Sequence, residues 1–262
     1  QLIESYFPKD VVRVLEGDAA FSEGLLNYNF DHIFFTGGSK TGSKIMESAA
    51  KNLTPVTLEL GGRNPAIVLA NADLRTTSRR LIWGKSLNSG QTCLAPNHIL
   101  AEESVKDSLI ELMKSSITSF YGNSPVDSPN LSKMNSRQFK KIANLLVQDE
   151  IKDKIIFGGS IDQEKQKISP TLLDLKSIDD PLLAEELFGP LLPVIPIKDL
   201  ESALSAIRKA SKPLSIYMFG GTEKQQQQLL DSTSSGGVCF NDVILQAAIP
   251  ELPFGGVGHS GF

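Results

Sequence analysis

Short runs of apolar and β-branched residues recur along the whole chain and are separated by longer amphipathic stretches. The short runs predict β-strands at residues 11–15, 32–36, 56–60, 66–69, 98–101, 155–157, 171–175, 192–197, 214–219 and 238–241. The amphipathic stretches predict helices at residues 2–7, 74–87, 105–120, 137–148, 200–210 and 223–231, with another after residue 42. Strands separated by helices of this length are typical of an α/β protein with a largely parallel sheet.

The stretch at residues 105–120 gives the clearest helical pattern. Ser104 directly precedes it and is the predicted N-cap, since a serine hydroxyl accepts hydrogen bonds from the first free N–H groups. The apolar positions that share one face of this helix are Val105, Leu109, Leu112, Met113, Ile117 and Phe120.

Composition narrows the class of protein. The 262 residues carry a formal net charge of −4, and 40% of them are hydrophobic, which is ordinary for a globular chain. The slight acidity argues against a dedicated nucleic-acid binder, because such proteins present a basic face. Two cysteines suit a reducing, intracellular compartment, and three scattered histidines without a Cys-x-x-Cys pair predict no metal site.

Both ends of the chain predict that it is part of a longer protein. It starts without Met, and it stops in a glycine-rich stretch at residues 253–258. A domain rarely ends where its backbone is most mobile. We therefore expect an N-terminal part and a C-terminal tail outside these residues, and we expect the isolated chain to be inactive.

A glycine-rich turn follows the strand predicted at residues 32–36. It contains Gly37, Gly38, Ser39 and Gly42, and a helix comes next. Free N–H groups and the dipole at a helix N-terminus favour an anion, so the segment is a candidate phosphate site. The alternative is a plain strand–helix connection. A P-loop is excluded, because Ser43 stands where that motif requires lysine.

Two further residues have the setting of catalytic groups. Glu59 ends an apolar strand before two glycines, where burial raises a carboxyl pKa and suits a general base. Cys93 lies in a loop between a predicted helix and a strand, where N–H groups and a nearby positive charge lower a thiol pKa. The alternatives are a buried inert cysteine, which is how we interpret Cys239, and a glutamate paired with a local arginine such as Arg63.

Five separated segments resemble the aldehyde dehydrogenase superfamily in their order and spacing. They are residues 35–37, 53–62, 90–93, 185–190 and 253–258. The resemblance covers essentially the whole chain. Residues 53–60 and 93–96 are most similar to the class 3 branch, which includes fatty aldehyde dehydrogenases.

The resemblance implies a fold and a reaction. Residues 1–60 would be the later part of a Rossmann-type NAD(P)-binding domain, and residues 61–262 an α/β catalytic domain. The reaction would be NAD- or NADP-dependent oxidation of long-chain aliphatic or aromatic aldehydes to carboxylic acids. The resemblance also implies a homodimer, located in the cytosol or on the cytosolic face of an organelle membrane. Some fatty aldehyde dehydrogenases carry an apolar C-terminal tail, and such a tail would associate the protein with a membrane.

The resemblance also assigns roles to residues. Cys93 would attack the aldehyde and carry a thiohemiacetal and then a thioester, which water activated by Glu59 hydrolyses. Glu186 would bind the nicotinamide ribose, Phe188 would pack beside the nicotinamide, and residues 37–42 would lie by the pyrophosphate. Gly38 departs from the family, which has serine there, so Ser39 is the candidate to supply that hydroxyl. The alternative function is an inactive fragment that serves as a binding or structural module.

Overall fold

The computed structural model describes residues 2–262, in which helices and strands alternate. The strands are β1 (Ile33–Gly37), β2 (Val56–Leu60), β3 (Pro65–Val68), β4 (His98–Glu102), β5 (Ile155–Phe157), β6 (Ile161–Asp162), β7 (Lys167–Ile168), β8 (Thr171–Asp174), β9 (Leu191–Ile197), β10 (Ser215–Phe219) and β11 (Gly237–Phe240). The helices are α1 (Leu2–Tyr6), α2 (Ala19–Leu25), α3 (Ser39–Ala50), α4 (Leu74–Ser86), α5 (Glu103–Tyr121), α6 (Ser136–Leu146), α7 (Asp149–Lys152), α8 (Leu200–Lys209) and α9 (Glu223–Ser232).

A seven-stranded sheet forms the centre of the larger part of the molecule. Its strand order is β11-β10-β3-β4-β9-β8-β5. Neighbouring strands run parallel except at one edge, where β5 pairs with β8 in the antiparallel sense. This architecture confirms the predicted α/β class with a largely parallel sheet.

Both faces of this sheet are buried. Successive side chains of a strand point to opposite faces, so on β10 Ile216 faces one core while Tyr217 faces the other. Helices α4 and α5 cover the Tyr217 face, and α6, α8 and α9 cover the Ile216 face. On α8 the buried positions follow the helical period, at Leu200, Ala203, Leu204 and Ile207. Burial on two faces explains why these strands are apolar throughout rather than alternating.

Residues 2–60 are organised around a smaller sheet. Strands β1 and β2 pair in parallel, and α3 packs beside them. The segment 258–262 lies antiparallel along the other edge of β2: the N–H of Leu58 donates to the carbonyl of Phe262 at 3.0 Å, and the N–H of Leu60 donates to that of Ser260 at 3.1 Å. The end of the described chain therefore covers the strand that carries Glu59.

The structure differs from the sequence prediction in a few elements. Residues 11–15 form no strand and pair with no other strand among residues 2–262. Helix α5 begins at Glu103, so Ser104 lies inside it and is not the N-cap. The preceding Glu102 does not cap the helix either, because its carboxylate accepts the N–H of Ala70 at 2.7 Å. The two-residue strands β6 and β7 were not predicted.

Within residues 2–262, no helix combines the length and the apolar character that crossing a bilayer requires.

Candidate functional site

A cleft of about 880 Å³ lies between the small sheet and the loops that precede β4 and β9 of the large sheet. Seven of the eight residues predicted for the site line this cleft: Gly37, Gly38, Ser39, Glu59, Cys93, Glu186 and Phe188. The eighth, Gly42, lies inside α3 and is buried. A Cβ atom on Gly42 would come within 2.7 Å of the Leu60 side chain, so close packing of α3 on β2 accounts for this glycine.

The predicted glycine loop is shorter than the sequence indicated. Strand β1 ends at Gly37, Gly38 is the N-cap of α3, and the helix begins at Ser39. Gly38 supplies no side-chain cap, and a Cβ atom placed there would meet no atom of residues 2–262 within 4 Å. The Ser39 hydroxyl donates a hydrogen bond to the carbonyl of His259 at 3.0 Å. The start of α3 thus offers backbone N–H groups to the cleft, whereas the hydroxyl proton of Ser39 is already donated to His259.

The loop before Cys93 has positive φ angles, which residues other than glycine rarely adopt. Asn88, Ser89 and Gly90 have φ angles of 50°, 54° and 74°. A Cβ atom on Gly90 would lie 2.3 Å from the carbonyl oxygen of Gly189, so glycine is required there. The close approach of Gly90 to Gly189 brings the Cys93 loop against the segment that carries Glu186.

Glu186 is held by its surroundings. A Cβ atom on Gly61 would lie 2.0 Å from Glu186 Oε2, so the carboxylate fills the space left by that glycine. Burial raises the pKa of Glu186 to about 7, against the opposing effects of the Gly62 N–H and the positive charge of Lys85. The next residue is fixed as well, since the N–H of Leu187 donates to Asn97 Oδ1 at 2.9 Å.

Glu59 is less constrained. Burial raises its pKa, as the sequence predicted for a carboxylate at an apolar strand end. Its Oε2 atom has no hydrogen-bond partner among residues 2–262. The alternative of a Glu59–Arg63 pair is not realised, because Arg63 donates to the carbonyl of Leu183 at 2.9 Å and to Ser211 Oγ at 3.0 Å. Glu59 therefore has a buried carboxylate oxygen that is bound to no donor or cation among these residues.

The pKa of the Cys93 thiol is raised, whereas the sequence predicted that it would be lowered. Burial is the largest cause, and the negative charges of Glu186 and Glu59 act in the same direction. The N–H groups of Cys93 and Leu94 act in the opposite direction and favour the thiolate. Cys239 is half-buried on β11, and burial raises its pKa too.

Sequence reasoning missed several residues of the site. The cleft is also lined by the basic side chains Lys40, Arg63, Arg137, Lys141 and Lys212. These residues are scattered along the chain, so no local pattern identifies them. Lys85 was also missed, although Ser78, Leu81, Ile82 and Lys85 follow the helical period and are all buried. Burial lowers the pKa of Lys85 to about 7.

Comparison with known proteins identifies the family. The sequence profile described as "Aldehyde dehydrogenase family" matches residues 1–262. The chain belongs to the aldehyde dehydrogenase family. It is 42% identical over its whole length to aldehyde dehydrogenase family 3 member H1 of Arabidopsis thaliana and 41% identical to family 3 member A2 of Rattus norvegicus. These relatives agree with the predicted class 3 branch.

Solved structures show the same fold. The chain superposes with a TM-score of 0.96 and 38% identity on Staphylococcus aureus AldH, described as a substrate-bound state, over 100% of this chain and 57% of the other. An NAD-dependent aldehyde dehydrogenase from Sinorhizobium meliloti gives a TM-score of 0.87 at 26% identity, over 99% of this chain and 53% of the other. The family 3 relatives are covered over 54% and 53% of their length, so the chain spans about half of them.

Proposed function

We propose that the protein containing this chain oxidises aldehydes to carboxylic acids with Cys93 as the nucleophile. The observation that carries the proposal is a single cleft that is lined by a thiol and by two carboxylates of unlike environment, both of which act on the thiol. Glu59 has a carboxylate oxygen without a hydrogen-bond partner among residues 2–262. The carboxylate of Glu186 instead packs against Gly61 and experiences the positive charge of Lys85. One carboxylate is suited to move a proton, and the other to hold a ligand in place.

The chemistry follows from these groups. The Cys93 thiolate adds to the aldehyde carbon and forms a thiohemiacetal. Loss of hydride from that carbon leaves a thioester on Cys93. Glu59 then takes a proton from water, and the resulting hydroxide attacks the thioester to release the carboxylic acid and the thiolate.

The residues of the cleft fit a nicotinamide dinucleotide. The five basic side chains outnumber the three carboxylates Glu59, Glu185 and Glu186, which suits the two negative charges of a pyrophosphate. The start of α3 adds N–H groups and a helix dipole beside the open space at Gly38. Glu186 would bind the nicotinamide ribose and Phe188 would pack beside the ring. When bound, the nicotinamide supplies the hydride acceptor.

The names of relatives support the same cofactor class without choosing within it. A mouse relative that is 41% identical is named a dimeric, NADP-preferring aldehyde dehydrogenase, and the Sinorhizobium meliloti enzyme is named NAD-dependent. We propose that the protein uses NAD or NADP.

Apolar side chains beside the Cys93 loop favour a hydrophobic substrate. Six large ones, 40–51% exposed, lie at the end of α4 and in the segment after β11: Trp83, Leu87, Leu245, Ile249, Leu252 and Phe254. The two groups meet, since a Cβ atom on Gly84 would lie 2.4 Å from the Val243 side chain. We propose that this surface binds long-chain aliphatic or aromatic aldehydes.

An activity assay of the full-length protein tests the proposal. We expect reduction of NAD or NADP with a series of aldehydes, with kcat/KM rising from short to long or aromatic substrates. Ile249→Ser should reduce that preference. Lys176→Ser serves as a control, because Lys176 follows the C-terminal end of β8, whereas the Cys93 loop precedes the N-terminal end of β4. Full-length protein that binds the cofactor but oxidises no aldehyde would indicate the alternative, an inactive binding module.

A further inference from the structure

Three successive carbonyl groups at the nucleophile turn are bound from inside the protein. Asn64 Nδ2 donates to the carbonyl of Cys93 at 2.7 Å and to that of Ala95 at 3.1 Å. The Tyr217 hydroxyl donates to the carbonyl of Leu94, between them, at 2.6 Å. Asn64 and Tyr217 are both 0% exposed.

Both polar atoms of the Asn64 side chain form hydrogen bonds. Besides its two donated bonds, its Oδ1 accepts the N–H of Ser215 at 2.9 Å, and its carbonyl accepts the N–H of Asn97 at 2.8 Å. It therefore ties the start of β3, the start of β10 and both sides of the Cys93 turn to one another. A buried amide with this many bonds fixes the orientation of every group that it contacts.

The bound carbonyls determine where the N–H groups of the turn point. In a trans peptide the C=O and the N–H face opposite ways, so drawing the Cys93 carbonyl inward turns the Leu94 N–H outward. Tyr217 acts through one more link. It holds the Leu94 carbonyl and so orients the Ala95 N–H, which donates to the carbonyl of Thr92 at 2.9 Å. Thr92 and Cys93 share a peptide, so this bond orients the Cys93 N–H.

We propose that Asn64 and Tyr217 are positioning residues of the nucleophile: by binding the carbonyls of residues 93–95, they aim the N–H groups of Cys93 and Leu94 at the Cys93 sulfur. The inference deepens the proposed function and rests on it. Neither side chain touches the reacting atoms, and they act through the backbone of the turn.

The surroundings of the thiol make these N–H groups important. Glu59, on β2, and Glu186, on the segment before β9, face the sulfur and oppose its ionisation, as burial does. The N–H groups of Cys93 and Leu94 act against all three. Loss of their alignment leaves the thiol in surroundings that favour its protonated, unreactive form.

The test measures alkylation of Cys93 by iodoacetamide as a function of pH, using peptide mass spectrometry on the full-length protein. Tyr217→Phe removes one hydroxyl and keeps the ring. Asn64→Leu is close in size, adds no charge and removes the donors to residues 93 and 95. Tyr121→Phe, on α5, is the matched control, and the far-UV circular dichroism spectrum reports on the fold of each variant.

Each variant should move the midpoint of the Cys93 profile to higher pH by about one unit, which makes alkylation at pH 7 about tenfold slower. The limiting rate at high pH, the circular dichroism spectra and the Tyr121→Phe profile should match the parent. Unchanged midpoints in both variants would overturn the proposal. If Asn64→Leu changes the circular dichroism spectrum, Tyr217→Phe decides alone. If both variants change it, the two residues are structural only.

Alkylation does not depend on turnover. A shifted midpoint in a protein that oxidises no aldehyde would support the positioning role and reject the proposed function. Normal oxidation of aldehydes by variants with unshifted midpoints would support the proposed function and reject the positioning role.

Discussion

Each of the two walls of the cleft carries a partly buried glutamate, and the two glutamates have different surroundings. The first wall, residues 37–40 and 59–60, lies on the small sheet, and its Glu59 has an oxygen without a partner among residues 2–262. The second wall, residues 91–93 and 184–188, rests on the seven-stranded sheet, and its Glu186 lies against Gly61 near the buried Lys85. Burial raises the pKa of both carboxylates.

The difference teaches that desolvation alone does not assign a role to a carboxylate. Both groups hold protons more tightly than in water, yet only Glu59 is free to exchange one without losing a bond or a charge partner. The first wall is therefore suited to proton transfer, and the second wall to holding a ligand. The following substitutions test this division, from the largest expected effect to the smallest.

Removal of the thiol should abolish the contrast, because hydride loss and thioester hydrolysis both take place on a group attached to Cys93. In the full-length protein, Cys93→Ser should reduce turnover to less than about a thousandth of the parent value, since a hydroxyl forms no thiolate. Steady-state kinetics measure turnover, and calorimetry should show nearly unchanged cofactor binding. Cys239→Ser is the control. Activity within about tenfold of the parent would remove Cys93 from the mechanism.

Glu59→Gln tests the first wall. Loss of the base should slow thioester hydrolysis and lower the steady-state rate by about 10²–10⁴-fold, while hydride loss is comparatively unaffected. A stopped-flow trace should show a burst of reduced cofactor, close to one equivalent per site, before a slow phase. If both phases slow equally and no burst appears, Glu59 has only a structural role.

Glu186→Gln tests the second wall. Loss of a charged acceptor for the ribose should slow the hydride step by about tenfold, as expected for a charge-assisted hydrogen bond, and should affect hydrolysis less. Single-turnover kinetics separate the two steps. Glu185→Gln is a matched control, since that exposed carboxylate pairs with Lys40 and Lys141. An unchanged hydride step would contradict the role of Glu186.

Lys85→Met tests the electrostatic support behind the second wall. The folded-state pKa of Lys85 is about 7 instead of 10.5, so the unfolded chain binds more protons between these values. The free energy of unfolding of the parent should therefore gain a contribution as pH rises from about 7 to 10.5, and the variant should lack it. Urea denaturation at several pH values measures the difference. Lys141→Met, which removes an exposed amino group, should retain the gain.

Local pattern was sufficient for the layered sheet and for the settings of Glu59 and Cys93. Glu186 had no local signal, and its assignment came only from the resemblance. The sign of the Cys93 pKa shift was predicted wrongly, because it depends on burial and on two carboxylates that only the fold brings near. Tyr217 sits in an apolar run and indicates a core position, so its bond to Leu94, 123 residues away, could not be predicted.

The pairing of residues 258–262 with β2 has a consequence for folding. The bond between Ser39 and His259 spans 220 positions of the chain, and contacts of such separation form slowly because a long loop must close first. During synthesis, the strand that carries Glu59 lacks this neighbour until the segment leaves the ribosome. Strand β2 therefore becomes paired along both edges late, after the Cys93 loop and the strands behind it have been made. A growing chain thus contains its nucleophile before the strand of Glu59 has its second neighbour.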